Sequence, residues 1–161
     1  MKSFSKKALA VLFTAGVLLT GCAQNSTKAE VASYNTAVIN LYHEYADKVQ
    51  EIDAFVSSET LDPPKVMTSL QKAKQDTAMY YGNFQKITVP KGAESISAAM
   101  KNVFEVETQG INNMIQAVQQ VEDAKESEAS IDNLGAVVNK YIDEHNQANQ
   151  AFDAVQAGLE K

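Results

Sequence analysis

The chain has 161 residues, with 14 basic and 20 acidic side chains, a formal net charge of −6 and one cysteine. All the basic residues are lysine, and arginine, the preferred residue for bidentate phosphate contacts and for reading guanine, does not occur. This balance argues against nucleic-acid binding, and a single cysteine leaves no disulfide within the chain, so packing has to supply the stability.

The first 21 residues have the three-part layout of a secretory signal peptide. Three lysines and no acid fall within 1–7, residues 8–19 are almost wholly apolar, and Thr20 and Gly21 are small. The apolar run of about 12 residues is short for a permanent span, because a helix needs roughly 20 residues to cross the hydrocarbon core. We therefore expect 1–21 to be removed from the mature protein.

The motif Leu19-Thr20-Gly21-Cys22 closes this segment and contains the only cysteine. It resembles the lipobox of bacterial lipoproteins. The resemblance implies that Cys22 is thioether-linked to diacylglycerol, that a dedicated peptidase cuts before it, and that the new amino group is acylated, for example with palmitate. Two or three acyl chains would hold the protein on a membrane, since each buried methylene contributes roughly 0.8 kcal/mol. The alternative is an incidental thiol in an ordinary signal peptide or anchor helix.

Removal of 1–21 takes away three lysines and no acid, so the mature chain has 11 lysines against 20 acids, a charge of −9. Such an acidic body does not adhere to anionic lipid by itself, so the lipid on Cys22 has to hold it there. By the rule of the lipoprotein family, Ala23 in place of aspartate favours the outer membrane of a double-membrane bacterium. In a single-membrane bacterium the site is the outer surface of the cell membrane. We expect a lipid-anchored protein that faces the periplasm or the exterior.

Residues 22–30 contain the lipidated cysteine and a small, polar tether, and the remainder, 31–161, predicts one domain. Apolar residues recur there at steps of three and four, the period of amphipathic helices. The predicted helices span about 31–57, 63–88, 93–123 and 128–160.

Two proline motifs punctuate this helical pattern. Asp62-Pro63-Pro64 is typical of a helix start, and the Val89-Pro90 pair before Gly92 is typical of a turn. Short connections make neighbouring helices antiparallel, so the sequence predicts an all-α, up-down-up-down four-helix bundle. The alternative is a three-helix core on which the first helix docks less firmly.

Polar residues interrupt the apolar stripes at Thr77, Glu107 and His145. Glu107 precedes the turn between the third and fourth helices by about 19 residues and His145 follows it by about 19, so an antiparallel hairpin places them level. The same counting through the other turns places Tyr45 and Thr77 at this height, with Lys48 at the edge. The sequence therefore predicts one polar layer at mid-bundle.

We interpret this layer first as a structural network, because an orphaned buried polar group costs roughly 1–3 kcal/mol. The functional alternative is a pocket for a small ligand or a metal. Zinc needs three or four ligands, and neither His43 nor His145 has the glutamate three residues earlier that di-iron bundles require. There is also no Cys-x-x-Cys-His haem motif, so we predict neither a metal nor a cofactor.

Motifs for catalysis are missing, since the sequence contains no Gly-x-Ser-x-Gly and no phosphate-binding glycine loop. Lipidation would consume the thiol of Cys22, and Glu105 and Glu107 point to different faces of one helix. Gly110, in mid-helix, indicates close packing or a local bend. We predict that the protein is not an enzyme.

The layout resembles the small helical-bundle lipoproteins of bacteria, and Tyr34-Asn35 followed by Asn40-Leu41-Tyr42 is loosely similar to lipoproteins of the YiiG type. These resemblances imply no known activity. We predict a membrane-anchored module that contacts an envelope protein or the cell-wall polymer. The alternative is a carrier of a small apolar ligand, metal or cofactor that uses the polar layer. A large cavity along the bundle axis favours the carrier, and a filled axis with an exposed apolar patch favours the module.

Overall fold

The computed structural model describes residues 26–56 and 62–159, with only the backbone described from 50 to 56. The expected signal segment and Cys22 lie outside the described residues. Four helices form an antiparallel up-down-up-down bundle, which confirms the predicted all-α fold. They are α1 Lys28–Val56, α2 Pro63–Phe84, α3 Glu94–Asp123 and α4 Glu128–Leu159.

The core lies along the bundle axis, and α3 is its central helix because it packs against α2 and α4 and also touches α1. The apolar residues on the inward face of α3, from Ile96 to Val121, are buried. The axis is filled by large side chains that are at most 2% exposed. Among them are Tyr45, Leu70, Met100, Phe104, Ile111, Met114 and Phe152.

Helix α1 packs mainly on α2. The backbones of α1 and α4 lie farther apart than those of the pairs α1–α2, α2–α3 and α3–α4. The rings of Tyr42 and Phe152 fill this seam, stacked with their centroids 4.2 Å apart. Val38 is fully buried. Helix α1 is therefore an integral part of the core, in contrast to the three-helix alternative.

The start of α1 differs from the prediction, because the helix begins at Lys28 rather than near residue 31. Thr27 and Glu30 form a reciprocal capping box: Thr27 Oγ1 accepts from the Glu30 N–H at 3.2 Å, and Glu30 Oε2 accepts from the Thr27 N–H at 2.6 Å. Residues 28–30, predicted as tether, thus belong to the helix. Ser26, just before the cap, accepts a hydrogen bond from the Lys91 N–H at 2.9 Å.

Helix α2 begins as predicted, since the side chain of Asp62 accepts from the Lys65 N–H at 3.3 Å and Pro63 occupies the first helical position. It ends at Phe84, before the predicted residue 88. The chain continues in a tighter turn, in which the Ile87 N–H donates to the Phe84 carbonyl at 3.0 Å. The restriction that Pro90 imposes on its preceding residue keeps the helix from resuming.

Two large apolar residues of α4 lie outside the core, since Ile131 is 44% exposed and Leu159 is 41% exposed. At the start of α4, Ser130 is buried instead, with its hydroxyl donating to the Ser127 carbonyl at 2.7 Å. Leu159 is the last residue of the helix.

None of the helices in the described ranges is long and apolar enough to span a membrane.

Candidate functional site: the Glu107 cluster

Glu107 is the centre of the polar layer, and only 1% of its surface is exposed although it carries a carboxylate. It lies halfway along α3, opposite α4. Its Oε2 accepts from the Tyr141 hydroxyl at 2.8 Å, and its Oε1 forms a short contact with His145 Nδ1. Both partners come from α4, where a spacing of four residues puts them on one face of the helix.

His145 occupies the rim of the layer, with 21% of its side chain exposed. Its Nε2 lies 2.8 Å from Asn149 Nδ2, again four residues along α4. With the Asn149 amide donating to Nε2, the proton of a neutral ring sits on Nδ1 and is donated to Glu107. One face of α4 therefore supplies Tyr141, His145 and Asn149, and Glu107 of α3 joins the first two in a hydrogen-bonded chain.

The other half of the layer comes from α1 and α2. The Tyr45 hydroxyl and Thr77 Oγ1 lie 2.9 Å apart, and these residues are 2% and 1% exposed. Burial strongly raises the pKa of Tyr45, and the negative charge of Glu107 raises this pKa further. The phenol therefore stays protonated beside the carboxylate.

The structure brings together the four residues that the sequence placed in the layer, Tyr45, Thr77, Glu107 and His145. We name this group, together with Tyr141 and Asn149, the Glu107 cluster. Lys48, expected at the edge of the layer, is exposed.

Sequence reasoning missed Tyr141 and Asn149 as members of the cluster. The signal was present, because these residues lie four before and four after His145 and so share its face of α4.

Gly110 shapes the cluster from the α3 side, one turn after Glu107. A Cβ atom at this position would lie 2.2 Å from Tyr141 Cδ2, closer than any van der Waals contact allows. The missing side chain lets the Tyr141 ring lie directly on the α3 backbone, from where its hydroxyl reaches Glu107. This is the close packing that the mid-helix glycine predicted.

The cluster contains an imidazole–carboxylate pair, which in an enzyme would orient a general base toward a nucleophile. Here Nε2 of His145, the nitrogen that would face a substrate, contacts Asn149. The hydroxyls of Tyr45 and Thr77 bond to each other. In the part of the chain that the structure describes, no three His, Cys, Asp or Glu side chains are grouped so that they could hold a metal. The arrangement is a network whose members satisfy one another.

A shallow groove of about 200 Å³ runs between α3 and α4 next to the cluster. Gly110 and Tyr141 contribute to its floor, and amide side chains such as Asn113 and Gln120 line it. It lies on the outside of the helix pair, whereas the bundle axis is filled.

The chain was compared with protein-family models, with curated proteins and with solved structures, and none of them matches it.

Proposed function

We propose that the protein is a lipid-anchored, non-catalytic module of the bacterial cell envelope that acts by contact with an envelope protein or with the cell-wall polymer. The observation that carries this proposal is the sequence Leu19-Thr20-Gly21-Cys22 at the end of a basic and then apolar segment. These residues lie outside the part of the chain that the structure describes.

The position of the first helix supports a module held close to a bilayer. Helix α1 begins at Lys28, six residues after Cys22. Six residues span at most about 20 Å when fully extended. A lipid on Cys22 would therefore keep the near end of the bundle within that distance of the membrane surface, and any partner would have to be reached from there.

The chemistry of the Glu107 cluster supports contact rather than catalysis. The carboxylate of Glu107 already accepts hydrogen bonds from Tyr141 and His145. The other ring nitrogen of His145, Nε2, contacts the side-chain amide of Asn149. A network in which each polar group has a partner stabilises one arrangement of the helices and leaves no activated group facing solvent.

The alternative function, a carrier that binds a small apolar ligand, a metal or a cofactor at the mid-bundle layer, has less support. A carrier needs an internal space of several hundred Å³, and the side chains at the level of the layer, such as Phe104 and Ile111, are fully buried and pack against their neighbours. The groove between α3 and α4 is smaller and lies at the surface.

Membrane fractionation of bacteria that produce the full chain tests the anchor. We expect the protein in the membrane fraction, and we expect it to stay there after a high-salt wash, because acyl chains do not depend on charge. The Cys22→Ser variant should either appear in the soluble fraction or accumulate as an uncleaved precursor. Salt-resistant membrane association of a processed Cys22→Ser variant would contradict the proposal.

Cross-linking in intact membranes, followed by capture of the lipidated protein, tests the contact function. We expect a discrete cross-linked partner, either a protein or a cell-wall fragment, that is lost in the Cys22→Ser variant. If lipid alone is recovered with the protein, the contact function is wrong even though the anchor holds.

A further inference from the structure

The turn between α2 and α3, residues 85–93, differs in charge from the turn between α3 and α4. It contains Lys86 and Lys91 and no acidic residue, although the protein as a whole is strongly acidic. Ile87 is half-buried, and Val89 is 41% exposed. A lysine near an anionic membrane surface contributes about 1 kcal/mol of attraction, and an exposed apolar side chain gains free energy when it enters the interface.

The start of the described chain is seated on this turn. The Lys91 N–H donates to Ser26 Oγ at 2.9 Å. Val31 Cγ2 packs beside Gly92, 3.6 Å from the point that a Cβ atom of residue 92 would occupy. Cys22 precedes Ser26 by four residues, which span at most about 14 Å. The turn is therefore the part of the bundle that a lipid on Cys22 would hold nearest to the bilayer.

The nearest carboxylates at this end are engaged with helix starts. Glu94 Oε2 accepts from the Gly92 N–H at 2.8 Å, and Glu30 Oε2 accepts from the Thr27 N–H at 2.6 Å. Each lies at a helix N-terminus, whose partial positive charge offsets the negative charge of the side chain. Within the described residues, Lys28, Lys86 and Lys91 balance these two carboxylates and Asp153, so this end carries no excess of negative charge.

The opposite end of the bundle has the reverse character. Residues 122–132, around the turn between α3 and α4, contain five acidic side chains and one lysine. An anionic lipid surface repels this end more strongly than it repels the end with the α2–α3 turn. The charge distribution thus orients the bundle in the same sense as the position of the tether.

We propose that the α2–α3 turn is a membrane-docking surface, on which Lys86 and Lys91 contact anionic headgroups and Val89 enters the interface. Leu159, 41% exposed at the end of α4, lies at the same end of the bundle and adds apolar surface. The inference rests on the proposed lipid anchor and specifies the membrane as the partner of this surface. The long axis of the bundle then stands away from the bilayer, with the acidic turn pointing outward.

The chain contains no tryptophan, so a single introduced tryptophan reports one position. Val89→Trp probes the proposed surface, and Ile131→Trp, at an exposed residue near the opposite end, is its matched control. Both full-length variants are produced in bacteria, extracted in lipidated form and reconstituted into vesicles of phosphatidylglycerol and phosphatidylethanolamine that contain brominated lipid. We expect blue-shifted, quenched emission from position 89 and unshifted, unquenched emission from position 131.

Replacement of the lysines tests the charge contribution within the Val89→Trp chain. Each of Lys86→Gln and Lys91→Gln should weaken the contact equilibrium with anionic vesicles roughly fivefold, the factor that one lysine near a charged bilayer contributes. Unchanged quenching in the double variant would overturn the role of the lysines.

Other outcomes separate this inference from the anchor. If the extracted protein carries no lipid on Cys22, the proposed function fails. If the protein is lipidated but positions 89 and 131 are equally quenched or equally unquenched, the docking surface is wrong. If position 89 is shielded in native membranes but not in vesicles of pure lipid, the turn binds a protein partner, and the inference is overturned.

Discussion

The Glu107 cluster and the α2–α3 turn use charged side chains in different ways. In the cluster, the carboxylate of Glu107 is buried and bonds to Tyr141 and His145 from the neighbouring helix. In the turn, Lys86 and Lys91 are exposed beside an exposed Val89. The polar groups of the first region bond to one another inside the bundle, and the lysines of the second lie on its surface.

This difference separates what holds the bundle together from what the bundle presents. Substitutions in the Glu107 cluster should change the free energy of unfolding and leave membrane contact intact. Substitutions in the turn should do the reverse.

The largest loss of stability is expected for Glu107→Ala. The change leaves the Tyr141 hydroxyl and His145 Nδ1 without their acceptor, and each donor left unpaired in the interior costs about 1–3 kcal/mol. Glu105→Ala is the matched control, since Glu105 is exposed on the same helix, and should change stability by about 0.5 kcal/mol or less. Chemical denaturation measures both, and equal losses would contradict the role of the cluster.

Gly110→Ala should cost about 1–3 kcal/mol, because the new methyl group overlaps the Tyr141 ring and displaces its hydroxyl from Glu107. The same substitution at Gly135, where a Cβ meets nothing within 4 Å, should instead stabilise by about 0.5–1 kcal/mol through helix propensity. Opposite signs for one chemical change are the expected result. A gain at both positions would mean that Tyr141 does not need the glycine.

His145→Ala should lower stability by about 1–3 kcal/mol, because Glu107 Oε1 loses its donor. His43→Ala, at an exposed position on α1, should have little effect. Thermal denaturation of the two variants side by side measures the difference. Membrane contact of the Val89→Trp reporter should be the same in the His145→Ala background as in the parent, and a loss of contact there would couple the two regions.

Tyr45→Phe should cost about 1 kcal/mol at neutral pH through the lost hydrogen bond to Thr77. It should also weaken the dependence of stability on alkaline pH. The folded protein raises the pKa of Tyr45 above its ordinary value of 10.0, so it holds this proton more tightly than the unfolded chain does. The stabilisation is then fully present below pH 10 and is lost as the pH rises above it.

Urea denaturation at pH 7 and at pH 11 checks this sign. The parent should lose more stability between the two pH values than the Tyr45→Phe variant loses. The remaining fall in the variant should come from Tyr34, Tyr42 and Tyr80, whose pKa values burial also raises. An identical fall in both proteins would show that Tyr45 titrates normally.

The smallest effect on folding is expected for Lys86→Gln combined with Lys91→Gln. Both side chains are exposed, so the free energy of unfolding should change by about 0.5 kcal/mol or less. The same double variant should show the weakened vesicle contact described above. A large loss of stability in this variant would show that the two lysines help to hold the bundle together, as the Glu107 cluster does.

Much of the fold and of the Glu107 cluster follows from the sequence, because helical period and short turns determine both. Equal spacing from the α3–α4 turn puts Glu107 and His145 level in any antiparallel hairpin. The turn is short and has a defined geometry, because the Glu126 N–H donates to the Val121 carbonyl at 2.9 Å at the end of α3. The equal spacing along the sequence therefore becomes an equal height in the hairpin.

What the sequence reasoning missed depended on local contacts between particular side chains. The role of Asn149 depends on the ring orientation that Glu107 imposes on His145. The early start of α1 depends on the capping box of Thr27 and Glu30. Both residues fall in the predicted tether, although their spacing is that of a helix start. The seating of Ser26 on Lys91 joins residues far apart in the chain, and no periodicity predicts it.

Intact-mass spectrometry of the protein extracted from bacterial membranes tests the proposed lipid anchor most directly. We expect a chain that begins at Cys22, with a mass increased by a diacylglyceryl group and, where the amino group is also modified, by a further acyl chain. A chain that begins at Met1, or one that begins near Cys22 but carries no lipid, would contradict both the anchor and the orientation of the bundle on the membrane.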